Sequence, residues 1–166
     1  MSRSPIIAVI GDSRVEPADS RDAFAQDLGT RIIDRGWRLQ TGGLGGVMEA
    51  ACRGGRASTR WTPGSIIGIL PGWDPDDANP YVDVALPTGL DHGRNLLVGQ
   101  ADAVVAIGGG AGTLSEIAFA WMMFRLIIAM RGSGWAGQLA DQPVDQRIRY
   151  PDLPDDRVYG VATAVE

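Results

Sequence analysis

Short apolar runs alternate along the chain with longer segments that repeat apolar residues at helical spacing. Runs typical of buried strands occupy 5–13, 37–43, 65–71, 102–109 and 126–130, with a shorter run at 82–87. From Ser20 to Arg35 apolar residues recur every three or four positions, which predicts a helix that Gly36 ends. Further helices are predicted from Val47 to about Gly54, across 93–100, and up to about Phe124.

This alternation predicts the fold class. Strands that are apolar on both faces and alternate with helices are typical of a parallel sheet covered by helices. We therefore expect an α/β protein, a single Rossmann-like domain over 1–166 with an open, mostly parallel sheet and helices on both faces. The segment 131–157 is polar and interrupted by Gly and Pro, so we predict it to be irregular. The last ten residues are expected to form an edge strand or the start of a helix.

Three of the predicted strands run into glycine-bearing loops. Ligands of open parallel sheets bind outside the carboxyl ends of the strands. Glycine lets a ligand approach the backbone closely, and a helix N-terminus attracts anions. A strand, a glycine-rich loop and a helix in that order favour phosphate binding, although glycines that serve only a tight turn remain the alternative. The candidate phosphate-binding residues are Gly11, Ser13, Gly42, Gly43, Gly46, Gly108, Gly109, Gly110, Gly112 and Thr113.

The loop "GGGAGT" (108–113) is not a dinucleotide-binding fingerprint, because Thr113 occupies the position of its last glycine. Glu116 follows this loop and has two interpretations. The pattern Thr113-x-x-Glu116 before an apolar run matches a capping box, in which the glutamate only caps the helix. Alternatively, Glu116 faces a sugar or a reacting centre, and Arg94 reaches the same ligand rather than solvent.

Composition excludes several function classes. All 15 basic residues are arginine, so neither a lysine Schiff base nor a Walker-type P-loop is available. A net charge of −5 argues against a general nucleic-acid binder. Cys52 and His92 are the only residues of their types, and we predict no metal site. Neither a signal peptide nor a membrane span is recognisable, so we expect a cytoplasmic protein without a membrane partner.

Two stretches together resemble a known family. "TGGLGGVME" (41–49) and "GRNLLVGQADAVVAIGGGAGTLSE" (93–116) are similar to the lysine-decarboxylase-like Rossmann superfamily. Its members include the LONELY GUY phosphoribohydrolases and the molybdenum cofactor carrier proteins. The resemblance places the family's functional arginine on Arg94 and its glutamate on Glu116. Gly108 stands where the phosphoribohydrolases have proline, and Asn95 stands where they have lysine.

The resemblance implies two alternative functions. One is hydrolysis of the N-glycosidic bond of a nucleoside 5′-monophosphate, with Arg94 and Glu116 as catalytic residues and no cofactor required. The other is a non-catalytic carrier or binder, whose cargo is the molybdenum cofactor (a pterin phosphate) or a nucleotide. Either way the partner is a small phosphorylated molecule, and a homodimer or higher homo-oligomer is expected from the family.

Overall fold

Seven parallel strands form one sheet with helices on both faces, in a computed structural model that describes residues 3–166. The strands are β1 (Ile6–Gly11), β2 (Arg38–Thr41), β3 (Ile66–Leu70), β4 (Val84–Pro87), β5 (Ala103–Ile107), β6 (Leu126–Met130) and β7 (Tyr159–Val161). The helices are α1 (Ser20–Asp34), α2 (Val47–Ala57), α3 (Asn95–Gly99), α4 (Ala111–Met122) and α5 (Gly134–Leu139), with 3-10 turns at Pro75–Asp77 and Asp91–Arg94.

The strand order is β4-β3-β2-β1-β5-β6-β7, and every pairing is parallel. This confirms the predicted α/β class and Rossmann-like sheet. The chain adds β2, β3 and β4 on one side of β1, then returns to place β5 on the other side. The loops after β1 and β5 therefore diverge at the centre of the sheet, which is where ligands bind in open α/β folds.

Two apolar clusters cover the two faces of the sheet. Ile7 and Val9 of β1 pack against α1 and α2, whereas the alternate residues Ala8 and Ile10 pack with α3, α4 and α5. All five residues of β5 are buried, as expected for a central strand covered on both faces.

Helices α1 and α2 pack closely through glycine. A Cβ atom on Gly29 would lie 2.0 Å from the carbonyl oxygen of Ala51, and one on Gly54 would lie 2.0 Å from that of Gln26. Thr30 adds a hydrogen bond of 2.8 Å from its hydroxyl to the carbonyl of Gly54. The start of α2 is joined to the loop after β1 by a separate hydrogen bond of 2.9 Å, from the amide of Val47 to the carbonyl of Asp12.

The segment 131–157 is less irregular than its sequence predicts, because it contains α5. The six residues of α5 include two glycines and show no helical apolar repeat, which is why the pattern misses them. Of the two expectations for the last ten residues, the edge strand is correct, since β7 pairs with β6.

The rest of that segment is fastened to α4 by a buried arginine. The Arg149 guanidinium donates two hydrogen bonds of 2.7 Å to the Asp156 carboxylate and stacks 3.7 Å from the ring centroid of Trp121. The Trp121 indole N–H in turn donates to Asp145 at 2.8 Å. A polar sequence is thus held against the core through ion pairing rather than apolar burial.

Candidate functional site

A cavity of about 440 Å³ opens at the carboxyl ends of the central strands. Its walls come from the loop after β1, the turn into α2, the 3-10 turn before α3, and the first residues of α4. The lining residues are Gly11, Asp12, Ser13, Leu44, Met48, His92, Arg94, Asn95, Gly110, Gly112, Thr113 and Glu116.

The structure brings together seven of the twelve residues singled out in the sequence. Those that line the cavity are Gly11, Ser13, Arg94, Gly110, Gly112, Thr113 and Glu116. The loop after β1 and the glycine-rich loop after β5 thus meet at one site together with the predicted arginine and glutamate. Sequence reasoning missed Asp12 and Asn95, although each directly follows a residue it selected.

The glycines of the turn into α2 lie behind the cavity wall. A Cβ atom on Gly42 would lie 2.1 Å from Nη1 of Arg94, so the absence of a side chain there makes room for the guanidinium. Gly43 and Gly46 adopt positive φ angles of 75° and 64°. Gly46 also backs onto the carbonyl of Asp12, where a Cβ atom would come within 2.2 Å. These three glycines shape the site without lining it.

Gly108 and Gly109 also lie outside the cavity and are held from behind. Both have positive φ angles, 63° and 92°. Their carbonyls accept hydrogen bonds of 3.0 Å from the amides of Ala136 and Trp135 at the start of α5. Gly108 lines a second, smaller cavity of about 270 Å³ on the other side of the loop.

Helix α4 begins at the cavity without a side-chain cap. Its N-cap residue is Gly110, and among residues 3–166 no side chain caps the helix with a hydrogen bond. The capping box predicted from Thr113 and Glu116 is wrong, because these residues are the third and sixth of the helix rather than its cap and third position. The first-turn amides and the partial positive charge of α4 therefore remain available to an anion in the cavity.

Arg94 and Glu116 form a loose, buried pair beside this helix end. Only 9% of Arg94 and 7% of Glu116 is exposed. Nη1 of Arg94 lies 3.9 Å from Oε1 of Glu116, too far for a hydrogen bond, and it has no hydrogen-bond partner among residues 3–166. A buried guanidinium with an unused donor at a cavity wall is suited to binding an anion.

Burial sets the ionisation of the pair. Desolvation raises the pKa of Glu116 to about 7, although the nearby charge of Arg94 opposes this change. Desolvation also lowers the pKa of Arg94, against the opposing effects of Glu116 and Asp91. The site thus combines a cation that is under-solvated with a carboxyl group that exchanges its proton near neutral pH.

Asn95 fixes the first turn of α4. Its side-chain amide donates to the Ser115 hydroxyl at 2.9 Å, and that hydroxyl donates to the carbonyl of Gly112 at 2.6 Å. The chain of hydrogen bonds joins α3 to the glycine-rich start of α4. Asn95, which stands where the phosphoribohydrolases have lysine, is therefore a neutral residue that holds the loop in place.

Comparison with known proteins gives a consistent result. A model of the SLOG cluster4 family matches residues 4–154. An uncharacterized protein of Archaeoglobus fulgidus is 38% identical over 162 residues, covering 96% of this chain and 97% of that protein.

Two similar solved structures carry functional descriptions. The molybdenum cofactor binding protein of Rippkaea orientalis is 31% identical with a TM-score of 0.77, covering 99% of this chain and 93% of its own. The molybdenum cofactor carrier protein of Chlamydomonas reinhardtii is 27% identical with a TM-score of 0.75, covering 98% and 92%. Within residues 3–166, no helix is long and apolar enough to cross a membrane.

Proposed function

The chain belongs to the SLOG cluster4 family, and on that basis we propose that it is a binder and carrier of the molybdenum cofactor. In this proposal the phosphate of the pterin lies at the start of α4, and the cofactor leaves the protein chemically unchanged. The observation that carries the proposal is the unpartnered Nη1 of Arg94 in the wall of a cavity that also contains an uncapped helix N-terminus.

Physical chemistry favours a phosphate at this position. The helix end contributes about 0.3–1 kcal/mol toward an anion. A hydrogen bond from a charged donor contributes about 1.5–3 kcal/mol. Arg94 has lost most of its hydration on folding, so an anion that accepts from Nη1 supplies the hydrogen bond that residues 3–166 do not.

The similar structures support a carrier in particular. Two of them are proteins that bind or carry the molybdenum cofactor, and each aligns with nearly the whole of this chain. The neutral Asn95 in place of the lysine of the phosphoribohydrolases agrees with a site that holds its ligand.

Glu116 supports a second candidate, the hydrolysis of a nucleoside 5′-monophosphate. With a pKa of about 7, half of the Glu116 population is ionised near neutral pH. An ionised carboxylate could stabilise the positive charge that develops on the ribose as the C1′–N bond breaks. Water would then add to C1′, its proton would leave with the base, and ribose 5-phosphate would remain.

Purification from a host that makes the molybdenum cofactor tests the carrier function. Bound molybdenum is measured by mass spectrometry, and pterin by fluorescence after oxidative release. We expect wild type to retain both in equal amounts and Arg94→Gln to lose both, whereas Arg147→Gln, a change at an exposed arginine, retains them. If wild type carries neither molybdenum nor pterin, the proposal is wrong.

The hydrolase alternative has its own assay. Wild type is incubated with adenosine monophosphate, and the free base is measured by chromatography. Release of adenine by wild type and not by Glu116→Gln would favour the hydrolase. If the nucleotide stays intact, only the binding function is supported.

A further inference from the structure

Asp12 places a carboxylate in the wall of the cavity that Arg94 also lines. The residue lines the cavity, and about a quarter of its side chain (26%) is exposed. Nη1 of Arg21 donates to its Oδ2 at 2.5 Å. The second oxygen, Oδ1, forms no hydrogen bond with the part of the chain that the structure describes, so it is free to accept one from a ligand.

The position of Asp12 is built into the loop. Its amide donates to the carbonyl of Ile107 at 3.3 Å, and its carbonyl accepts from the amide of Val47 at 2.9 Å. A Cβ atom on Gly108 would come within 2.0 Å of Oδ2, so the glycine leaves the space that the carboxylate occupies. Contacts from β5, α2 and α1 together hold the side chain in one place.

Charges of both signs line the cavity. Arg21 pairs with Asp19 as well as Asp12, so the three side chains carry a net negative charge beside the loop after β1. Arg94 and the first residues of α4 line the same cavity. A phosphate is attracted to Arg94 and to the N-terminus of α4 and repelled by the Asp12 carboxylate, so these charges favour the orientation in which the phosphate of the ligand lies at α4.

We propose that Asp12 selects the ligand by its neutral end. Oδ1 accepts a hydrogen bond from an exocyclic amino group of the heterocycle or from the 2′-hydroxyl of the sugar, while the phosphate occupies the start of α4. This inference rests on the proposed phosphate site, and it adds the chemistry that the other end of the ligand must carry: a hydrogen-bond donor and no second anionic group.

Guanosine monophosphate and two analogues distinguish the sources of that donor. Guanine has an amide N–H beside a 2-amino group, as a pterin does. Inosine monophosphate lacks the amino group, and 2′-deoxyguanosine monophosphate lacks one ribose hydroxyl. We expect calorimetry to show that wild type binds one analogue about 10- to 100-fold more weakly than guanosine monophosphate. Asp12→Ala abolishes that difference, and Asp12→Asn restores part of it.

Asp19→Ala is the matched control, because it also removes a partner of Arg21 but does not line the cavity. It should keep the wild-type discrimination. The inference is overturned if the three nucleotides bind wild type equally, or if Asp12→Ala weakens all three by the same factor.

Ribose 5-phosphate separates this inference from the proposed function. If it binds wild type and not Arg94→Gln, the phosphate site stands, and the Asp12 results alone decide the inference. If neither ribose 5-phosphate nor guanosine monophosphate binds wild type, the phosphate site and the inference fail together.

Discussion

Glu116 should make the stability of the protein depend on pH in a way that one substitution removes. The carboxyl group is buried beside Arg94, and its pKa is about 7 instead of the ordinary 4.5. In Glu116→Gln the shape is kept but the side chain cannot ionise. Wild type and Glu116→Gln should therefore differ in stability at high pH and be equally stable at low pH.

The magnitude follows from the shift in pKa. As pH rises, the unfolded chain releases the proton of Glu116 first, so the native state holds more protons between about pH 4.5 and 7, and stability falls across that range. One pKa unit corresponds to about 1.36 kcal/mol. The free energy of unfolding therefore falls by about 3 kcal/mol as the pH rises from about 4.5 to 7, and it is affected fully above pH 7 and not at all below pH 4.5.

Urea unfolding of both proteins between pH 5 and 8.5 measures this loss. We expect the free energy of unfolding of Glu116→Gln to exceed that of wild type by about 3 kcal/mol at pH 8.5 and by much less at pH 5. Glu16→Gln, a change at an exposed glutamate, serves as the control and should follow wild type throughout. Parallel curves for wild type and Glu116→Gln would refute the argument that desolvation dominates at this site.

Three further predictions follow from the packing. Gly42→Ala should weaken binding of ribose 5-phosphate at least tenfold in calorimetry, because its Cβ would displace the Arg94 guanidinium. Gly45→Ala should not weaken binding, because Gly45 does not line the cavity and its Cβ would come no closer than 3.4 Å to its neighbours, and equal losses in the two variants would contradict the role given to Gly42. Arg149→Met should lower the free energy of unfolding in urea by about 3–5 kcal/mol, since it leaves a buried carboxylate unpaired; a change below 1 kcal/mol would be inconsistent. Burial raises the pKa of Cys52 to about 11, so its thiol should react with a disulfide reagent at pH 8 only as fast as the chain unfolds, and immediate labelling of native protein would exclude this.

The sheet could be predicted because its strands are short, apolar on both faces and separated by helices of ordinary length. β5 shows this most clearly, since each of its residues is buried and its apolar run is unbroken. The same local logic failed at α4. The helix starts at Ala111, ahead of the threonine that the capping pattern selects, because Gly110 serves as its cap.

The cavity was only partly predictable, because its walls join loops that lie far apart in the sequence. Arg94 and Glu116 were recognised through their family pattern, but their mutual distance and burial depend on the packing of α3 against α4. Asp12 carries no local signal, since its carboxylate acquires a role only where Arg21 and the loop after β5 meet it. Arg149 is similar: its burial depends on Asp156 and Trp121, which the polar sequence around it does not indicate.

The hydrogen bonds from the start of α5 to the carbonyls of Gly108 and Gly109 bear on how this site can be exchanged between relatives. The backbone of Gly134 touches that of Gly108 so closely that a Cβ atom on Gly134 would lie 2.4 Å from the carbonyl carbon. A glycine-rich loop transferred from a relative would therefore lack the contacts from α5 that hold its backbone in that relative. Chimaeras that exchange 108–113 should keep the donor's ligand preference only when the donor's 132–137 is transferred with it, and the two segments should change together as the family diversifies.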